Sequence, residues 1–213
     1  MNLINNNFIL AIHSTNDFFG FAYRFISDEK EKVELFSKKF DKNLTNNLIY
    51  DLKEFLPNES FRSIDRISVS LGPANFNASR LIVVLARTIS QQINCSLDSC
   101  SSFKLMAKRI GIKNNLLEKN NNSFWITKKL KHRGYLCGLY KILCEKKGEI
   151  IAEEMIKPNL YKKLPHDNPC FEVDNNIKDD LIELLNLSLN NLDKSIHNKW
   201  EDVLPIYPLS PTN

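Results

Sequence analysis

Three short apolar runs near the start of the chain, Phe8 to Ile12, Phe18 to Phe25 and Val33 to Ser37, are separated by nothing but clusters of turn formers. Runs of this length suit strands better than helices, and their aromatic and branched residues fit a pleated, half-buried surface. The intervening His13-Ser14-Thr15-Asn16-Asp17 and Ser27-Asp28-Glu29-Lys30 are short and rich in residues that turn the chain. The chain therefore opens with a three-stranded meander, whose faces must be covered by later elements.

The next segment has helical period. Phe40, Leu44, Leu48, Leu52 and Phe55 recur at three- and four-residue spacing, a single stripe that Pro57 ends. Asp65 to Leu71 then alternates, with Ile67, Val69 and Leu71 on one face of a strand. A loop, Gly72 to Ser79, leads to a helix predicted from Arg80 to Ile93. A shorter helix runs from Ser101, its capping serine, to Ile110. The Asn- and charge-rich stretch Lys113 to Ser123 reads as a linker. Phe124 to Thr127, Tyr135 to Leu143 and Glu149 to Ile156 form a second set of strands, with Lys146-Lys147-Gly148 as a turn. Ile177 to Leu192 is a helix carrying Ile177, Leu181, Leu184, Leu185 and Leu189, so the second half repeats the order of elements of the first without repeating its sequence.

Composition excludes several classes. Across 213 residues, 43% are hydrophobic and 25% charged, as in ordinary folded domains, and 29 basic against 25 acidic residues permit RNA contact without arguing for it. The longest apolar stretch, Leu81 to Ala86, is far short of the ~20 residues of a membrane helix. Met1 to Asn5 lacks the layout of a signal peptide, so a cytoplasmic location with no membrane contact is expected.

Cys95, Cys100, Cys137, Cys144 and Cys170 form no Cys-x-x-Cys pair and are expected reduced, with Cys137 and Cys144 in the core and Cys100 exposed. His13 lies in no metal-ligand spacing, and His132, His166 and His197 fall in unrelated segments. Asp17 and Asp65 read as turn and strand-start residues. Ser14, Ser79 and Ser101 lack a nucleophile-elbow context. Lys128-Lys-Leu-Lys-His-Arg133, the densest basic run, reads as a strand edge guarded by lysines or as a contact for RNA phosphates. Arg80 could equally meet a phosphate or pair locally.

Two meanders, each followed by helices, are the layout of the actin, sugar-kinase and Hsp70 superfamily. Ile67-Ser-Val-Ser-Leu-Gly-Pro-Ala-Asn-Phe-Asn-Ala-Ser-Arg80 resembles a stretch of the TsaB (YeaZ) family in which a strand runs into Gly-Pro-Gly-Ser-Phe-Thr-Gly-x-Arg and an apolar helix. Gly72, Pro73, Phe76 and Arg80 match that stretch. Ile9 to Thr15 resembles the family's opening Ile-Leu-Ala-Ile-Asp-Thr, Arg133, Gly134 and Tyr140 resemble its Arg-x-Gly-x-x-Tyr strand loosely, and Leu204 to Leu209 resembles its Pro-x-Tyr-Leu ending.

The resemblance implies an α/β fold of two ribonuclease-H-like subdomains, each a mixed sheet flanked by helices. The first is expected over Met1 to Ile110 and a smaller second over residues 111–213, with the tail 203–213 packing back on the first. It also implies a non-catalytic subunit of tRNA threonylcarbamoyladenosine formation that joins TsaD, and a second copy of itself, through its first two helices. Leu44, Leu48, Ile49 and Leu52 of the first helix, and Phe76, Arg80, Leu81, Val83, Val84, Ala86 and Arg87 at the second, are the expected partner-binding residues. TsaE is a further implied partner, TsaC or a relative would supply the threonylcarbamoyl donor, and tRNA is met through the complex. ATP or ADP and metal are expected on partner subunits, with no cofactor here.

Departures from the family pattern reinforce the last point. His13 stands where the superfamily has an aspartate, Ala74 and Ala78 stand where the family loop has glycines, and Leu44 replaces a histidine at the start of the first helix. The competing readings are a glycoprotease or sugar-kinase-like enzyme, which those same residues oppose, and a chaperone-like binding module. Leu81 to Ala86 is apolar all round for more than a turn, so something beyond the sheet is expected to cover its second face.

Overall fold

The structure is a computed structural model that describes residues 6–27, 32–40, 44–118, 122–144 and 148–207. The expected turns over Asp28 to Lys30 and Lys146 to Lys147, and the Pro208-Leu209 end of the tail, lie outside the described residues. The chain divides into two compact units. Both are α/β, each a mixed sheet flanked by helices, as expected of the two ribonuclease-H-like subdomains that the resemblance implied.

The first unit comprises residues 1–100 and 177–205. Its strands β1 (Phe8–Ser14), β2 (Phe18–Phe25), β3 (Val33–Lys39), β4 (Ile64–Ser70) and β5 (Ser96–Cys100) lie in the order β3-β2-β1-β4-β5. The first three pair antiparallel, as a meander must, and β4 and β5 run parallel to β1. Thr15 makes the β1–β2 turn by accepting the Asp17 and Phe18 amides on its hydroxyl.

Every residue of β1 is buried, so both faces of the sheet are covered and alternate side chains enter two different layers. Phe8, Leu10 and Ile12 join a core with Leu48, Leu52 and Leu56 from or just after helix α1 (Leu44–Phe55) and Ile82, Val83, Ala86 and Ile89 from helix α2 (Phe76–Ile93). Ile9, Ala11 and His13 face the other way, toward helix α4 (Ile177–Asp193). Gly20, which pairs with His13, shows why that layer is close: a Cβ there would lie 3.0 Å from Leu181 Cδ1.

Several elements differ from the sequence reading, among them β6 and β8, which run on to Leu130 and Tyr161. Phe40 does not begin the helical stripe; it follows β3, gives its amide to Asp17 and stacks on Phe19. Helix α2 begins at Phe76, four residues before Arg80, because the Asn75 side chain accepts the Ala78 amide and caps it. It ends at Asn94, whose left-handed backbone turns the chain out. Strand β5 carried no periodic signal, since three of its five residues are polar.

The second unit comprises residues 101–176 and 206–213. Strands β6 (Ser123–Leu130), β7 (Gly134–Cys144), β8 (Ile150–Tyr161) and the three-residue β9 (Cys170–Glu172) take the order β8-β7-β6-β9, with β9 parallel to β6. Helix α3 (Ser102–Lys113), capped by Ser101, packs Phe103, Met106, Ala107 and Ile110 against Phe124, Ile126, Leu136, Tyr140 and Ile142. The Ser101 hydroxyl also meets Tyr140 and Glu154, so the helix start is tied to β7 and β8.

The expected division at residue 110 is therefore corrected. Helix α3 belongs to the second unit because its apolar face fills the second core, and α4 belongs to the first because it lies across β1, β2 and β4. Lys113 to Ser123 is not the boundary: Leu116 is fully buried in the second core, and residues 119–121 lie outside the described residues. Of the tail, Val203 enters the first core while Leu204 and Tyr207 stay exposed.

Candidate functional site

Helix α2 now has a defined inside and outside. Ala78, Ser79, Ile82, Val83, Ala86, Ile89 and Ser90 face the sheet. At 100° per residue the opposite stripe runs through Phe76, Arg80, Val84 and Thr88. Val84 is 52% exposed at its centre, Phe76 is 46% exposed at its start, and Leu81 and Leu85 are half-buried beside it. A surface helix satisfies its sheet with one stripe, so an apolar residue in the middle of the other stripe is surplus to folding. On α1, Ile49 and Tyr50 are exposed in the same way.

Four of the expected partner-binding residues are thereby corrected. Leu48, Leu52, Val83 and Ala86 fill the core beneath these helices and offer no surface to a partner. Ile49, Phe76, Arg80 and Val84 are exposed, Leu81 and Arg87 half-buried, and the Leu44 side chain lies outside what the structure describes. Arg87 lies over the Trp200 ring at 5.4 Å, a cation–π contact within the same unit. Arg80 makes none of the described ion pairs.

The face of the sheet beneath α4 sets polar side chains beside Ile9 and Ala11, and the period of β4 puts Arg66, Ser68 and Ser70 there without naming their partners. His13 meets Ser70 through Nδ1 at 2.6 Å and Asp180 through Nε2 at 3.3 Å. Serine, imidazole and carboxylate in a row have the elements of a hydrolytic triad. All three are at most 1% exposed, however, and a nucleophile must stand where a substrate can reach it. In this setting the row is an internal clasp joining β1, β4 and α4.

A second row lies on the same face. Arg66 forks onto Asp98 with two bonds of 2.9 Å, and Asp98 also accepts from Ser188, Asn191 and Asn198. The same guanidinium also donates to the Ile196 carbonyl at 2.7 Å. Burial alone would push the Asp98 carboxyl up, but the bonds from Arg66, Ser188, Asn198 and Asn191 outweigh it and hold it below the usual value of 3.8.

The Gly72-Pro73 loop, joined by a cis peptide bond, leads into α2. Gly72 has φ +90, which a side chain rarely adopts. Ala74 and Asn75 carry Cβ atoms at the mouth of the helix, and the Asn75 side chain already takes one of its free amides. Among the described residues no group of three or more His, Cys, Asp or Glu is gathered as metal ligands, and no helix is long and apolar enough to cross a membrane.

The cysteines also sort differently from expectation. Cys100 is buried at the end of β5, whereas Cys144, at the end of β7, and Cys170 are exposed. Apolar neighbours in sequence placed Cys144 in the core, but β7 carries it two residues past Ile142, the last residue of that strand buried in the second core. Burial pushes the Cys95 and Cys137 thiols up to about 11.

No family model matches the chain. Over 106 residues it is 27% identical to the tRNA threonylcarbamoyladenosine biosynthesis protein TsaB of Buchnera aphidicola subsp. Acyrthosiphon pisum (strain APS). That match covers 49% of this chain and 46% of the relative, about half the relative's length. YeaZ from Pseudomonas aeruginosa superposes with a TM-score of 0.65 over 94% of this chain and 99% of its own, at 12% identity. A Pseudomonas aeruginosa protein described as similar to peptidase YeaZ gives the same score and identity over 95% and 100%. These two structures share the fold.

Proposed function

We propose that this chain is a member of the TsaB/YeaZ family, on its match to TsaB and a fold shared with YeaZ, and that it serves tRNA threonylcarbamoyladenosine formation as a scaffold. In this reading the outer face of α2, with Ile49 of α1, binds TsaD, and TsaD supplies the metal, the nucleotide and the catalytic residues. TsaE and a donor-forming enzyme complete the machinery. A second copy of this chain would use the same face when TsaD is absent.

The observation that carries the reading is Val84. An aliphatic residue at the centre of the solvent stripe contributes little to folding, and burying its exposed surface against a partner yields about 25 cal/mol per Å². Phe76, at the start of the same stripe, adds an aromatic, a residue type enriched at interfaces. The enclosed His13-Ser70-Asp180 row supports a non-catalytic role, because the side chains that could do chemistry are spent on internal contacts. His13 in that row, with the capped and Cβ-lined mouth of α2, likewise supports a subunit without a nucleotide of its own.

The experiment is reconstitution. TsaD, TsaE, an activated threonylcarbamoyl donor and unmodified tRNA are combined with and without this chain, and modified adenosine is quantified after nuclease digestion. The scaffold reading expects modification to depend on the chain and the chain to co-elute with TsaD. Modification by this chain without TsaD would overturn it.

A further inference from the structure

We propose that one end of the second unit's sheet, made by the β6–β7 turn and the end of β8, is an RNA-binding surface; this deepens the reading of the chain as part of a tRNA-modifying machinery. The basic run that the sequence analysis singled out begins where β9 ends, so Lys128 to Leu130 pair with β7 on one side only. Strand β6 pairs with β7 along its length and with β9 only at Trp125 to Thr127, and the run continues from this open edge into the turn Lys131-His132-Arg133.

The turn brings a second group of cations alongside. His132 and Gly134 both have positive φ, at 62° and 97°. A Cβ on Gly134 would lie 2.3 Å from the Tyr161 carbonyl oxygen and 3.3 Å from the Lys162 Cα. Glycine is thus required for the turn to sit directly against Lys162-Lys163. Lys129, Lys131, Arg133, Lys162 and Lys163 are all exposed, and none takes part in a described ion pair. Neither 128–135 nor 161–166 contains an Asp or Glu. With Lys128 these cations outnumber the chain's formal net charge of +4, so the remainder of the chain is net acidic.

Aromatic rings stand among the charges. Lys129 pairs with Tyr135, and Tyr135 with Tyr161, so the three side chains share one face in one cross-strand row. Both tyrosines are half-buried, and Tyr161 is held against the Trp125 ring at 5.5 Å. Adjacent strand ends stand about 4.8 Å apart, which spreads the cations over roughly 10 Å. Exposed cations around fixed rings match an RNA strand, whose phosphates take the charges and whose unstacked bases take the rings. An anionic membrane or an acidic protein would use the charges and leave the rings unexplained.

The test is binding of a fluorescently labelled tRNA transcript by the full chain, read by anisotropy at several salt concentrations. One variant carries Lys129→Glu, Lys131→Glu and Arg133→Glu, another carries Lys162→Glu and Lys163→Glu, and a control carries Lys178→Glu and Lys194→Glu on or beside α4. The surface variants are expected to bind at least tenfold more weakly, with a salt slope shallower by about 0.7–0.9 per lost contact, while the control matches wild type. Co-elution with TsaD is expected to be unchanged in all three. Unchanged RNA affinity in both surface variants, equal loss in the control, no wild-type binding at low salt, or tighter binding to phosphatidylserine vesicles than to RNA would each overturn the proposal. Loss of TsaD co-elution by wild type would instead count against the scaffold reading alone.

Discussion

Removing the Asp98 carboxylate tests whether the buried polar row holds the C-terminal segment on the first sheet. In Asp98→Ala the Arg66 guanidinium stays 1% exposed with its countercharge gone, and Ser188, Asn191 and Asn198 each lose an acceptor. Breaking one side of a buried pair costs about 3–5 kcal/mol, because the surviving charge remains out of water. For a chain of this size that corresponds to a fall in Tm of about 6–20 °C. Urea unfolding followed by tryptophan fluorescence, with Trp125→Phe as the background so that Trp200 alone reports the first unit, gives the free energy. Hydrogen exchange at Leu97, whose amide bonds the Asn198 carbonyl at 3.1 Å, reports the local detachment. The pH dependence comes from the sign of the shift. A carboxyl held below its unfolded value stabilises the fold above that value and loses the contribution as pH falls through the folded one. Acid unfolding below pH 3.8 should therefore be blunted in the variant, which has already lost this contribution. A loss under about 1 kcal/mol, or an unchanged acid limb, would refute the reasoning.

Val83→Glu places a charge in the first core and should cost at least about 3 kcal/mol, seen as loss of the cooperative thermal transition; a folded variant would show that the inner stripe of α2 is wrongly drawn. Iodoacetamide at neutral pH should label Cys144 before Cys95 and Cys137, whose thiols are held near 11, with peptide mass spectrometry as the readout. Labelling of Cys95 in the native protein as fast as that of Cys144 would contradict the partial burial that raises its thiol. Calorimetry at millimolar ATP or ADP should give no saturable heat with the chain alone, and a low-micromolar dissociation constant would contradict the reading of His13.

The opening meander was legible because its strands are apolar runs cut by turn formers, a pattern local in sequence. So was α4 as a helix, but not the sheet it covers, since Leu181, Leu184 and Leu185 would fill either core. The start of α2 was misplaced because Ala74-Asn75-Phe76-Asn77 reads as a turn, whereas Asn75 is a cap. The resemblance pointed to α1 and α2 as the partner-binding helices, yet with Leu81 to Ala86 apolar throughout, periodicity puts Val83 and Val84 on different stripes without saying which of them meets the sheet. The pairings within the Arg66-Asp98 and His13-Ser70-Asp180 rows gave no signal, because residues 32 and 167 positions apart meet through the fold alone. Arg66 between Asp65 and Ile67 looks like an ordinary surface charge on a half-exposed strand.

The claim that the outer stripe of α2 carries the partner is tested most directly by Val84→Glu. The side chain is half exposed, so the substitution should change stability by no more than about 0.5 kcal/mol. A carboxylate buried at an apolar interface should weaken binding to TsaD at least tenfold, about 1.4 kcal/mol, by calorimetry or size-exclusion chromatography. A normally folded Val84→Glu chain with wild-type affinity for TsaD would contradict the account.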